Sequence, residues 1–91
     1  MQLEVTVPTM LRDCVGNRTR VPLQARSLRE ALRRLVEDYP LLRVHLLDEQ
    51  QQLRPHVLIY YNDENTAGLR ELDVPIQPGD RLTILQAVSG G

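Results

Sequence analysis

The chain has 91 residues with eleven basic and twelve acidic side chains, a formal net charge of -1, 42% hydrophobic residues and 25% charged ones. That size and balance describe one globular domain with a single core, and exclude disordered, collagen-like and membrane-spanning classes. So short a chain has few residues to spare for a deep cleft with its own catalytic shell, which argues against most enzymes and for work done with a partner.

Residues 2–7 alternate, with Leu3, Val5 and Val7 on one side and Gln2, Glu4 and Thr6 on the other, the period of a half-buried strand that Pro8 ends. Gly16-Asn17 is a turn signal, and residues 18–23 resume the alternation with Thr19, Val21 and Leu23 on one face, which predicts a hairpin. Ser27 followed by Glu30 is a capping box, in which each side chain satisfies the other's free backbone N–H, so a helix starts there. Leu28, Ala31, Leu32, Leu35, Val36 and Tyr39 fall at steps of three and four and give it one apolar face, and Pro40 stops it.

Residues 41–47 read as a helical turn and residues 48–55 as an exposed loop. Residues 57–61 are a compact β-branched and aromatic strand, followed by Asn62-Asp63-Glu64-Asn65, residue types that tolerate a tight reversal. Within the irregular residues 66–76 one short edge strand is expected near Arg70 to Leu72, Pro75 barring a central position. Pro78-Gly79-Asp80 is a turn, and residues 81–86 form a last strand with Leu82 and Ile84 on one side. The order predicts an α+β fold in which one main helix covers a mixed sheet of four to five strands, the β-grasp pattern. Residues 1–86 are read as the domain and residues 87–91, Ala87-Val88-Ser89-Gly90-Gly91, as a flexible C-terminal tail.

With that order and that tail, the chain resembles the ubiquitin-like sulfur carrier proteins, the family of the molybdopterin synthase small subunit and the thiamin-biosynthesis carrier. The likeness is greatest to the branch serving cysteine biosynthesis and thiocarboxylated natural products. It rests on Val7-Pro8-Thr9-Met10-Leu11-Arg12, Tyr60-Tyr61-Asn62-Asp63-Glu64, Pro78-Gly79-Asp80 and the Gly90-Gly91 end. The resemblance implies a carrier, not an enzyme, that binds no cofactor of its own. A ubiquitin-activating-type adenylating enzyme would use ATP to activate the carboxylate of Gly91, and a sulfur source would convert it to a thiocarboxylate.

The other implied partners are a sulfur-accepting biosynthetic enzyme, such as one making cysteine or a siderophore-like metabolite, and a metalloprotease exposing Gly91 where residues follow the glycines. The small subunit of molybdopterin synthase, and a ubiquitin-like protein modifier or plain interaction module, remain the alternatives. The two glycines, lacking Cβ, suit a narrow channel, and five extended residues reach about 17 Å.

Strand alternation leaves Leu58 and Tyr60 opposite the core residues Val57, Ile59 and Tyr61, and Leu85 opposite Leu82 and Ile84. These three apolar side chains are the expected partner-binding patch, since the resembled family docks through this sheet face. Of the helix arginines Arg26, Arg29, Arg33 and Arg34, Arg34 stands four after Glu30, and Arg33 and Arg34 stand four before Glu37 and Asp38. With much of this charge paired and no aromatic interleaved, neither nucleic acid nor membrane is expected as a partner. Residues 1–45 nevertheless carry a formal charge of +3 and residues 46–91 one of -4.

Cys14 is alone, which excludes an internal disulfide framework, and reads as an incidental thiol; His45 and His56 read as surface residues and no zinc spacing can be written. With no signal-peptide pattern at residues 1–4, a reducing cytoplasm is the expected compartment. Every basic residue is Arg. A GC-rich genome explains this more simply than protection of an activated tail from its own lysines.

Overall fold

The computed structural model describes residues 1–86; the tail assigned to residues 87–91 lies outside the described residues. Strand β1 (Gln2–Thr6) buries Leu3 and Val5, and β2 (Arg20–Gln24) buries Val21 and Leu23, while their alternate residues face outward. The two pair antiparallel with Leu3 opposite Leu23 and Val5 opposite Val21, the expected hairpin. Its connection is more than a turn. A 3₁₀ helix, Thr9–Val15, buries Leu11 and Val15, and Gly16 and Asn17 then reverse the chain at φ 69 and 62. Thr19, expected on the inner face, is exposed, because the regular ladder begins only at Arg20.

Helix α1 (Leu28–Asp38) begins where the capping box places it, with Ser27 Oγ accepting the Glu30 N–H at 3.2 Å. The return bond falls one residue earlier than expected, the Glu30 carboxylate accepting from the Arg26 N–H at 3.1 Å. The next two free donors of the helix are met by distant chain: Leu28 N–H donates to Val74 O at 2.9 Å and Arg29 N–H to Leu72 O at 2.8 Å. These bonds explain a correction. The edge strand expected near Arg70 to Leu72 does not form there, because the carbonyls of this stretch are engaged by the helix start. The edge strand is instead β4 (Glu64–Asn65), which follows directly from β3 (Val57–Tyr61) through Asn62 at φ 56.

Pro40 ends α1 and also opens α2 (Pro40–Leu46), since the first position of a helix needs no N–H. The last strand, β5 (Arg81–Gln86), lies at the centre of a five-stranded mixed sheet of order β2-β1-β5-β3-β4, parallel to β1 and antiparallel to β3. Leu82 and Ile84, 0% and 1% exposed, face the core shared with Leu28, Ala31 and Leu35 of α1. Burying each contributes roughly 1.5–3 kcal/mol. The opposite face of the sheet carries the alternate residues of the strands, some exposed and some half-buried.

Candidate functional site: the outer sheet face at the head of the tail

Because β5 pairs with both β1 and β3, registers define rows across the outer face. One row reads Pro22, Glu4, Arg81; the next reads Arg20, Thr6, Thr83, Tyr60, Asn65; the last pairs Leu85 with Leu58. Leu58 and Leu85 are thus direct cross-strand neighbours with Cβ atoms about 5 Å apart, and Tyr60 stands one row away. Leu85 is 42% exposed and Leu58 and Tyr60 are half-buried. The structure brings these three together beside Gln86, the last described residue. Ala87, Val88, Ser89, Gly90 and Gly91 lie outside the described residues.

The register is fixed from the other end of the same pair by a polar knot. Asn62 N–H donates to Arg81 O at 2.9 Å, and Asn62 Oδ1 accepts the Arg81 N–H at 3.1 Å. The Asp80 carboxylate accepts from the Tyr61 hydroxyl, from Gln77 N–H at 2.7 Å and from Asn62 Nδ2 at 3.2 Å. Burial, then the bond to Asp80, pushes the Tyr61 phenol up to about 12. Burial alone would raise the Asp80 carboxyl, but the donors from Tyr61, Gln77 and Asn62 outweigh it and hold the group below its usual range. A chain locked at Asn62 and Arg81 has Leu58 and Leu85 aligned four residues further along.

Cys14 sits half-buried in the 3₁₀ helix, where burial and then the charge of Asp13 push its thiol up, away from the thiolate that a sulfur relay needs. His45 and His56 are exposed, and among the described residues no group of three or more His, Cys, Asp or Glu is placed to hold a metal ion. On α1, Arg33 pairs with Glu37 at 3.5 Å and Glu30 at 3.9 Å, and Arg34 with Asp38 at 3.8 Å. Arg29 pairs with Asp73 at 2.8 Å, a partner its own helix does not supply. No helix among the described residues is long and apolar enough to cross a membrane.

One feature escaped the sequence reading. An apolar hollow of about 290 Å³ opens on the helix side of β3, between Leu32 and Val36 of α1, Leu47, Leu53, Ala67 and Leu72. Its signal was a set of isolated leucines, Leu47 at the end of the expected helical turn, Leu53 in the expected loop and Leu72 in the expected edge strand.

Comparison with known proteins places this geometry. The model of the ThiS family matches residues 5–91. The sulfur carrier protein CysO of Mycobacterium tuberculosis is 33% identical over 93 residues, covering the whole of both chains. Its crystal structure superposes with a TM-score of 0.78 at 32% identity, covering 94% of this chain and 99% of that one. A chain of the Amycolatopsis orientalis BexX/CysO complex gives a TM-score of 0.79 at 29% identity, covering 98% and 99%. SAMP1 of Haloferax volcanii, at 23% identity and a TM-score of 0.79 over both full chains, shares the fold.

Proposed function

The chain belongs to the ThiS family of ubiquitin-like sulfur carriers, small carrier proteins rather than catalysts, and from that premise we propose that it carries sulfur as a thiocarboxylate on Gly91. The carrying observation is the likeness to CysO along the whole of both chains. The fold supports it, since Gln86 ends the central strand beside Leu58, Tyr60 and Leu85, the face we propose docks on the partner.

The chemistry follows from leaving groups. A carboxylate is a poor acyl donor because oxide leaves badly. In the proposed cycle one carboxylate oxygen of Gly91 attacks the α-phosphorus of ATP on an adenylating enzyme, and pyrophosphate leaves. Hydrosulfide then adds to the acyl carbon and AMP leaves with the P–O oxygen, which yields a thiocarboxylate. This product is ionised at neutral pH and its soft sulfur is the better nucleophile. The receiver is a protein partner that builds cysteine or a thiocarboxylated metabolite, a reading supported by the CysO likeness and by the partner-bound state of the Amycolatopsis chain.

Intact-mass analysis after incubation with an adenylating enzyme, ATP and sulfide tests it. A gain equal to the difference between sulfur and oxygen is expected, lost on deletion of Gly91 and retained in Cys14→Ser. An unchanged mass under conditions where the enzyme turns over ATP sinks the reading.

A further inference from the structure

Seven of the eleven arginines make no ion pair among the described residues, and they are not scattered evenly. Three of them, Arg12, Arg18 and Arg20, fall within the β1–β2 connection and its mouth, where Asp13 is the lone acid. The α1 arginines Arg29, Arg33 and Arg34 are, by contrast, all neutralised within the fold.

Two of the three unpaired arginines are held in place by their own fold. Arg12 Nε donates to Val7 O at 3.3 Å, where the β1–β2 ladder ends, and Arg18 Nε donates to Val15 O at 3.1 Å. Each tether uses one guanidinium nitrogen, and among the described residues the forked terminal pair has no hydrogen-bond partner. Arg20, on the outer face of β2, shares a row with Thr6, Thr83 and Tyr60, about 14 Å from Tyr60 at three strand spacings. Because β1 runs parallel to β5, the end of β1 from which this connection leaves is also the end at which β5 reaches Gln86.

From this arrangement we infer that the β1–β2 connection forms a basic flank to the Leu58–Leu85 docking face, and that it fits a protein surface carrying carboxylates beside the opening that receives residues 87–91. The inference deepens the proposed docking of that face and rests on it. A protein rather than a nucleic acid is the occupant, because no aromatic side chain is interleaved with these arginines within residues 7–20 and the chain as a whole is acidic, with a sequence pI near 6.1. Exposed charges of this kind add little affinity one by one. They steer approach and fix orientation, which a short arm aimed at a narrow opening needs most. The Pro8-Thr9-Met10-Leu11-Arg12 stretch thereby gains a role as the side of the footprint that distinguishes partners.

Two measurements test it. Titrating the ¹⁵N-labelled chain with poly-L-glutamate at low salt should shift the Arg12, Arg18 and Arg20 resonances and leave Arg29, Arg33 and Arg34 unmoved. Shifts spread equally over α1, or tighter binding of a single-stranded oligonucleotide or pyrophosphate than of polyglutamate, overturn the inference. In the second, the double variant Arg18→Glu, Arg20→Glu should associate with the adenylating enzyme about tenfold more slowly at low salt and at the parent rate in high salt, with exposed Arg70→Glu as the control.

If Leu58→Glu weakens binding and the double variant does not, the docking face stands and the basic flank is wrong. If the enzyme never binds the parent chain, the carrier reading falls, and the polyglutamate titration alone decides the flank.

Discussion

The hydroxyl of Tyr39, at the C-terminal end of α1, donates to the carbonyl of Pro22 at 2.7 Å, in the middle of edge strand β2. Val7 N–H bonds Thr19 O and Ala25 N–H bonds Met1 O, so the odd-numbered residues of β2 face β1, and Arg20, Pro22 and Gln24 turn their backbone groups to the open edge. At the centre of that edge, proline has no N–H and its carbonyl is already taken. A sheet edge is a template for adding strands from other chains, and here one tyrosine and one proline close it.

Tyr39→Phe is therefore expected to cost about 0.5–1 kcal/mol, one exposed hydrogen bond, read as a lower urea midpoint. Pro22→Val, which restores an edge N–H, should increase self-association, and Pro22→Val with Tyr39→Phe should increase it further. Sedimentation at rising concentration distinguishes these; an unaltered monomer in the double variant would mean the edge is protected by something else.

The Tyr61–Asp80 bond makes stability fall at both ends of the pH scale. The Asp80 carboxyl is held below its ordinary value, so its contribution is present at neutral pH and is lost as acid protonates it in the folded state. Tyr61 behaves in the opposite sense. Its phenol is pushed up to about 12, so its contribution is whole below the ordinary value near 10 and disappears between about 10 and 12. Tyr61→Phe should cost about 1–2 kcal/mol at pH 7 and flatten the alkaline loss, measured by denaturant unfolding at stepped pH. An alkaline limb that keeps its slope in Tyr61→Phe would assign it to another group.

Leu58 and Leu85 face outward, so charged replacements there leave the core untouched. Leu58→Glu and Leu85→Glu should each keep stability within about 0.5 kcal/mol, as surface positions do, and each should weaken binding to the adenylating enzyme about tenfold or more. Calorimetric titration together with thermal unfolding checks both halves. Binding that survives both substitutions would remove the sheet face from the interface.

Much of the fold was legible because the sequence repeats its instructions. Leu3, Val5 and Val7 alternate with polar residues, and Ser27 and Glu30 announce a helix whose apolar stripe follows at once. What was not legible depends on residues far apart in the chain. Nothing near Leu72 or Val74 says that their carbonyls will cap the start of α1, so that stretch read as an edge strand.

The 3₁₀ helix was hidden because Leu11 and Val15 repeat only once, too few turns for a period to emerge. The outward side of Leu58 and Leu85 could be read from parity alone. That they stand opposite each other could not, because their register is fixed by Asn62 and Arg81 at the far end of the strands. The +3 and -4 halves of the chain likewise became interpretable only when ion pairs separated the neutralised arginines of α1 from those beside β1 that have no ion pair among the described residues.

The central position of β5 also has a mechanical meaning. Any pull on residues 87–91 enters the body along β5, at right angles to the hydrogen bonds that join it to β1 and β3 on either side. Such a load has no free edge to unzip. It must shear two ladders together, so the sheet stays whole under loads that would peel away an edge strand.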